Sequence, residues 1–196
     1  MGVNWIFFDI GNVLCYLDFN SVWNGFIKEC GSPLDKIQNA LYDEYLFNGF
    51  ECGRLSPEKY YRGVMRKMGC SLGYEQFVEI WNSIVVKNDR MFNFVKSLKD
   101  HFKILILSNT NVLNASVIDK DIREISDKIV YSYEVGYMKP DPEIFRIALH
   151  RADETPENIL FVDDLIENIL SAKHIGFKTY LFDNCDSFKK YIEELF

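Results

Sequence analysis

An apolar run that stops on a single carboxylate constrains this chain more than any other feature. Trp5 to Phe8 leads into Asp9 and then into a break at Gly11 and Asn12, within F-F-D-I-G-N-V-L from Phe7 to Leu14. The run reads as a buried strand, and glycine and asparagine are residues that turns use. A carboxylate at the end of such a strand loses hydration unless it is paired, protonated or bound to a metal. Asp9 is therefore either a turn-forming strand end or a group with chemistry to do, and the remaining stretches must supply what that chemistry needs.

After Leu14 the periodicity turns helical. Phe19, Val22, Trp23, Phe26 and Ile27 recur at three and four, and Pro33 after Ser32 marks a new start. Leu34, Ile37, Leu41 and Tyr45 continue the period. Phe50 to Glu58 reads as a turn in which Ser56 caps a helix and Pro57 takes its first position. Tyr60, Tyr61, Val64 and Met68 give that helix an apolar face, and Tyr74 to Ile84 forms another. Phe19, Trp23, Tyr45, Phe47 and Phe50 are expected to be mostly core of this segment, with one or two in the roof of a pocket.

The second half alternates. A helix through Met91, Phe94, Val95 and Leu98 precedes the apolar run Phe102 to Leu107, which ends on Ser108-Asn109-Thr110. Runs apolar on both faces are typical of parallel strands buried between helices. Ile129 to Tyr131 is a second such run, followed by a loop carrying Lys139 and a helix opened by Asp141 and Pro142. Ile159 to Val162 ends on Asp163-Asp164, and helix Ile166 to His174, strand Lys178 to Leu181 and a helix near Phe188 to Leu195 close the chain. The pattern predicts a doubly wound α/β core built from residues 1–14 and 88–196. Residues 15–87 are then an all-helical cap inserted after the first strand, placed to act as a lid.

Composition narrows the function classes. The 196 residues are 48% hydrophobic and 26% charged, which suits a folded soluble chain. With 22 basic against 29 acidic residues the net charge is -7, a balance that disfavours nucleic acid and anionic membrane as partners. The five cysteines are odd in number and scattered without a C-x-x-C pair, so they are expected to be free thiols in a reducing compartment. The N-terminus lacks a basic region before its apolar run, and no stretch reaches the roughly 20 apolar residues of a membrane span. A cytoplasmic protein is expected.

Four of the five inferred core strands end on polar or charged residues: Asp9, Ser108 with Asn109, Lys139 beyond the third, and Asp163 with Asp164. Ligands of open α/β sheets bind at those ends, so the set should converge. Carboxylates, a hydroxyl and an ammonium together suit an anion held against a hard divalent cation such as Mg²⁺. In this order and on these elements, D-I-G-N-V-L, S-N-T, the lysine of G-Y-M-K-P-D-P-E-I-F and F-V-D-D-L-I-E-N resemble the four motifs of the haloacid dehalogenase superfamily. The likeness covers the whole chain and extends to its bacterial sugar phosphatases, of which the α-D-glucose-1-phosphate phosphatases share the D-x-G-N-V form of the first motif.

The resemblance implies a five-stranded parallel sheet of order 5-4-1-2-3, counting core strands along the chain, with a helical cap. It implies that Asp9 attacks phosphorus and forms an aspartyl phosphate, and that Asp9, the Gly11 carbonyl and Asp163 or Asp164 hold Mg²⁺ directly or through water. Ser108 and the Asn109 amide would bind phosphoryl oxygens, Lys139 would offset the repulsion between phosphate and Asp9, and Asn168 would steady Lys139 or the acids. E-x-G-x-L-S at Glu51 to Ser56 is similar to a cap feature of these phosphatases. Glu51 and Arg54 are its candidate substrate contacts, although the element serves equally well as a turn and an N-cap.

One position departs from the pattern. Most phosphatases of this superfamily carry a second Asp two residues after the nucleophile as general acid and base, and here that residue is Gly11. Such help is worth roughly 10² to 10⁴ in rate. Its absence favours esters whose leaving oxygen needs little protonation, such as anomeric sugar, acyl or aryl phosphates. The expected activity is hydrolysis of a small phosphorylated metabolite such as a sugar phosphate. The alternatives are a 2-haloacid dehalogenase, against which the acid pair argues, and a catalytically idle phosphate-binding module.

Overall fold

The computed structural model describes residues 2–195. Among the described residues there are seven strands: β1 (Trp5–Phe8), β2 (Cys15–Leu17), β3 (Val85–Lys87), β4 (Lys103–Ser108), β5 (Lys128–Tyr131), β6 (Ile159–Asp163) and β7 (Lys178–Leu181). Five of them form one sheet in the order β5-β4-β1-β6-β7, every neighbouring pair parallel. Counted among core strands this is 3-2-1-4-5, the expected order read from the opposite edge.

Strand periodicity explains the three-layer build. Alternate side chains of a strand point to opposite faces. Trp5 and Phe7 join Leu105, Leu107, Val130 and Phe161 on one face, packed against helices Pro142–Ala152 and Ile166–Ile175. Ile6 and Phe8 join Ile104, Ile106, Leu160 and Val162 on the other, beneath helices Asp89–Leu98, Val112–Ile125 and Cys185–Glu194. β1 is buried along its length at the centre of the sheet, and Asp9 follows its C-terminal end. The chain lays β4 and β5 on one side of β1, then returns to lay β6 and β7 on the other. That reversal opens a crevice at the ends of β1 and β6.

Between β2 and β3 lie five helices, Phe19–Cys30, Leu34–Leu41, Glu44–Glu51, Pro57–Met68 and Tyr74–Asn82. Three of them start at residues that accept from the exposed amides of a first turn: Asp18 from Ser21 N, Asp43 from Leu46 N, and Ser56 from Lys59 N ahead of Pro57. The helices share a hydrophobic cluster of their own, centred on Phe26, Phe50, Tyr60, Phe77 and Trp81. The chain enters and leaves this helical unit through the antiparallel β2–β3 ribbon. A stretch expected to be wholly helical thus has a short strand at each end, three residues apiece and too brief for alternation to declare itself.

The helical unit leans on the core at one tight point. Gly53, with φ +66°, lies so close to Tyr133 that a Cβ there would sit 2.1 Å from the Tyr133 carbonyl oxygen. The glycine of E-x-G-x-L-S is needed both for its left-handed backbone and for this approach.

Two further expectations about the helical unit fail. Cys30 and Cys70 form a disulfide, with Cα atoms 5.4 Å apart, whereas Cys15, Cys52 and Cys185 are free and buried. The two halves of the bridge sit at the C-terminal ends of helices Phe19–Cys30 and Pro57–Met68, beside the left-handed Gly31 and Gly69. A separation of 40 residues conceals a proximity that only helix packing creates. Tyr45 is 76% exposed rather than core. Its helix is not the one that carries Ile37 and Leu41: that one stops at Tyr42, and Asp43 caps a new helix whose rotation turns Tyr45 outward.

Candidate active site

The crevice beyond β1 and β6 gathers four charged side chains. Asp9 follows β1 directly, and its N–H donates to the Val162 carbonyl at 3.0 Å, which sets it level with Asp163 at the end of β6. Lys139 reaches in from the loop after β5 and places Nζ 2.7 Å from Asp9 Oδ1 and 2.6 Å from Asp163 Oδ2. All three side chains are buried. Asp164 lies at the rim, where its Oδ2 accepts from Asn12 Nδ2 at 3.0 Å. One carboxylate oxygen from each of Asp9, Asp163 and Asp164 falls within 4.8 Å of the others. Such a trio of hard oxygen donors fits a small divalent cation.

Backbone and side-chain contacts explain why this arrangement holds. Asn109 clamps the lysine loop from both sides: its Oδ1 accepts from Lys139 N at 2.7 Å, and its Nδ2 donates to Lys139 O at 2.8 Å. The side chain of Asn109 is thus committed to positioning Lys139. Asn168, one turn into the helix after β6, donates from Nδ2 to Asp163 Oδ1 at 2.9 Å, and Leu165 N donates to the same oxygen at 2.9 Å. Both oxygens of Asp163 therefore already have partners. The left-handed residue of the first loop is Asn12 (φ 51°), not Gly11. A Cβ on Gly11 would make ordinary contacts, 3.4 Å to Leu17 Cδ1 and 3.8 Å to Asp9 Oδ2, so the backbone does not demand glycine there.

The electrostatics are those of closely packed opposite charges. Burial pushes the Asp9 carboxyl up to about 7, with Lys139 opposing that rise and Asp163 adding to it. Burial disfavours the Lys139 ammonium, but Asp9 and Asp163 more than compensate and hold its pKa above the usual lysine value. Burial likewise raises Asp164, against the hydrogen bond from Asn12. A divalent cation among these carboxylates favours their ionised forms, so binding it and releasing protons are linked.

Asp9, Gly11, Ser108, Asn109, Lys139, Asp164 and Asn168 all line one cavity of about 450 Å³ that continues upward between the core and the helical unit. Phe19, Tyr42, Phe47 and Trp81 form its far wall. Glu51 reaches it as well, buried at the end of helix Glu44–Glu51, where its Oε1 accepts from Asn111 Nδ2 at 2.7 Å. Arg54 does not: it is exposed, away from the cavity lining, with its guanidinium 3.4 Å from the Asn48 carbonyl.

A model of the haloacid dehalogenase-like hydrolases matches residues 3–176. The chain belongs to the haloacid dehalogenase-like hydrolase family. Among similar proteins, D-ribitol-5-phosphate phosphatase of Bacteroides thetaiotaomicron is 28% identical over 188 residues, 91% of each chain. A haloacid dehalogenase family enzyme from the same organism, solved in complex with magnesium and inorganic phosphate, superposes with a TM-score of 0.83 at 26% identity, covering 93% of this chain and 95% of that one. A predicted haloacid dehalogenase-like family hydrolase from Porphyromonas gingivalis superposes with a TM-score of 0.85 at 26% identity, over 100% of this chain and 98% of the other.

Three residues of this hydrolase's site escaped sequence reasoning. Asn111 caps helix Val112–Ile125 through Oδ1 while holding Glu51 through Nδ2. Ser132 Oγ accepts from Thr110 N at 2.9 Å and lies 2.7 Å from the Glu51 carbonyl, joining the helical unit to the strand end that bears Ser108. Asn12 holds Asp164. Of these only Asn111 had a readable signal, an asparagine just ahead of a helical period. The other two act through partners 81 and 152 residues away.

Proposed function

We propose that this hydrolase is a Mg²⁺-dependent phosphatase of sugar or sugar-alcohol monophosphates, working through an aspartyl phosphate on Asp9. The observation that carries this reading is the convergence of Asp9, Lys139, Asp163 and Asp164 at the switch point of the sheet. The relative that acts on D-ribitol 5-phosphate and the neighbour solved with magnesium and phosphate support it.

Asp9 Oδ attacks phosphorus in line, the bond to the ester oxygen breaks, and water then hydrolyses the acyl phosphate, which divides one hard step into two. Lys139 neutralises the charge that attacker and phosphate bring together, and Ser108 with the Asn109 main-chain amide binds the phosphoryl oxygens. Asp9, the Gly11 carbonyl and Asp164 hold the Mg²⁺, which when bound supplies charge neutralisation at the phosphoryl group. Asp163, whose oxygens are taken by Lys139, Asn168 and Leu165 N, fixes the lysine and acts on the ion at most through water. Asn168 steadies Asp163.

A panel of phosphorylated metabolites containing both sugar 1-phosphates and alditol phosphates, assayed with Mg²⁺ and with EDTA, tests the reading. Turnover of p-nitrophenyl phosphate and of at least one sugar or alditol phosphate, abolished by EDTA, is expected. Metal-independent chloride release from 2-chloropropionate would overturn it. Gly11 bears on the range of substrates, because without a neighbouring acid the ester oxygen must leave with little help. The space around Gly11 allows a direct check: Gly11→Asp is expected to raise kcat on alkyl phosphates about tenfold relative to aryl phosphates, within the range of general acid catalysis. An equal change on both classes would show that proton donation is not what Gly11 lacks.

A further inference from the structure

We propose that the roof of the cavity recognises the uncharged, hydroxylated end of the substrate, with Glu51 as the principal hydrogen-bonding group, so that the enzyme selects monophosphates of neutral polyols and rejects those with a second anionic group. The proposal rests on the phosphatase reading and adds the chemistry of the other end of the substrate.

The first observation is spare hydrogen-bonding capacity around one cavity. Glu51 is 6% exposed, and among the described residues Asn111 is the one side chain that donates to its carboxyl. Burial pushes its carboxyl up to about 7, only partly offset by that bond. A buried carboxyl with so few partners is costly to keep for architecture alone, since an apolar side chain would fill the same space. Among the described residues three buried side-chain atoms have no hydrogen-bond partner, Trp23 Nε1, Tyr42 Oη and Trp81 Nε1, and the last two belong to residues that line the same cavity. Tyr42 is close enough to Glu51 for the carboxylate to add to the rise that burial causes in its phenol. Buried polar groups without partners call for an explanation, and a ligand bearing several hydroxyls provides one.

The second observation is charge. Among the described residues that line the cavity, Lys139 is the one cationic side chain, and its ammonium is held by Asp9 and Asp163 at the phosphate end. Arg54, the nearest candidate in sequence, lies outside. A terminal carboxylate or second phosphate would therefore sit beside Glu51 with no counter-charge. Unpaired buried charge and like-charge contact both select against such substrates. Phe19, Phe47 and Trp81 supply the apolar walls that carbon-bound hydrogens of a polyol can pack against.

A matched series of five-carbon monophosphates tests this on the unaltered enzyme: a pentitol 5-phosphate, the corresponding aldonate 5-phosphate with a terminal carboxylate, and pentyl phosphate without hydroxyls. The pentitol ester is expected to exceed both others at least tenfold in kcat/KM. Glu51→Ala should raise KM for the pentitol ester about tenfold and shrink its advantage over pentyl phosphate, whereas Glu51→Gln, which still offers an acceptor, should recover most of the loss. Equal turnover of pentitol and pentyl phosphates by the wild type would overturn the proposal whatever the variants do. So would Glu51→Gln losing kcat as heavily as Glu51→Ala, the signature of a proton donor. Failure to hydrolyse p-nitrophenyl phosphate or any ester of the series would overturn the phosphatase reading and this proposal with it.

Discussion

Asp9→Asn is expected to lower turnover of every phosphate ester by about 10⁴-fold or more, the scale on which removal of a covalent nucleophile is felt. An amide is close to the carboxylate in shape, so the hydrogen bond from Asp9 N to Val162 O and the packing of β1 need not change. The amide oxygen is a poor nucleophile, and an acyl phosphate cannot form on it. Stability should hold or rise slightly, because the variant removes one of two carboxylates that crowd each other beside Lys139. Ligand binding should persist, and calorimetry with inorganic phosphate and Mg²⁺ would show it. Quenched wild-type enzyme should carry acid-stable label from ³²P-substrate that the variant lacks. Turnover surviving in Asp9→Asn would remove Asp9 from its assigned role.

Lys139→Met should fail in a different way, losing stability as well as rate. Lys139 Nζ is the shared partner of two carboxylates, and its side chain is 1% exposed. Breaking a buried ion pair by deleting one member typically costs about 3 to 5 kcal/mol, because the partner charge stays behind without compensation. Here two are left behind. The fold can respond by protonating Asp9, whose carboxyl burial already pushes up to about 7 and which loses with Lys139 the group that opposed that rise, so the deficit should be smallest below that value and grow as pH rises above it. Mg²⁺ should restore part of the loss by mass action, about 2.7 kcal/mol at 100 times its dissociation constant. Chemical denaturation with EDTA and with Mg²⁺, at pH 6 and pH 8, separates these contributions. A variant as stable as wild type in EDTA at pH 8 would mean that the carboxylates do not need the lysine. Activity should not return with Mg²⁺, since the metal does not replace the ammonium at the attacking oxygen.

These two residues also mark how far the sequence could be read. Asp9 was visible because a parallel strand buried on both faces is apolar throughout, and a lone acid at its C-terminal end stands out against those neighbours. Asp163 and Asp164 were visible for the same reason at β6. Lys139 was legible only as a member of the set, since a loop lysine by itself is ordinarily solvated. The strand order followed from the ordered motifs and their family likeness more than from local pattern, because periodicity identifies strands without saying which pair.

Local pattern alone misled where packing decided the outcome. The rotation that exposes Tyr45 comes from a helix break at Tyr42 and Asp43. Arg54 and Glu51 stand three residues apart and looked equally suited to touch substrate. The left-handed Gly53 sends the chain past Tyr133 and leaves Glu51 inside and Arg54 outside. Asn168, five residues past Asp163, was within reach of the sequence, whereas Asn12, the donor that meets Asp164, lies 152 residues away along the chain.

The α/β core was legible in the sequence, because burial and periodicity are local properties that a chain must write into its own order. Only the tertiary structure decided which donors each carboxylate receives, that Cys30 meets Cys70, and that Glu51 faces the cavity beside unpartnered Tyr42 and Trp81. Those facts depend on angstrom-scale placement of elements far apart along the chain, and no short-range pattern encodes it.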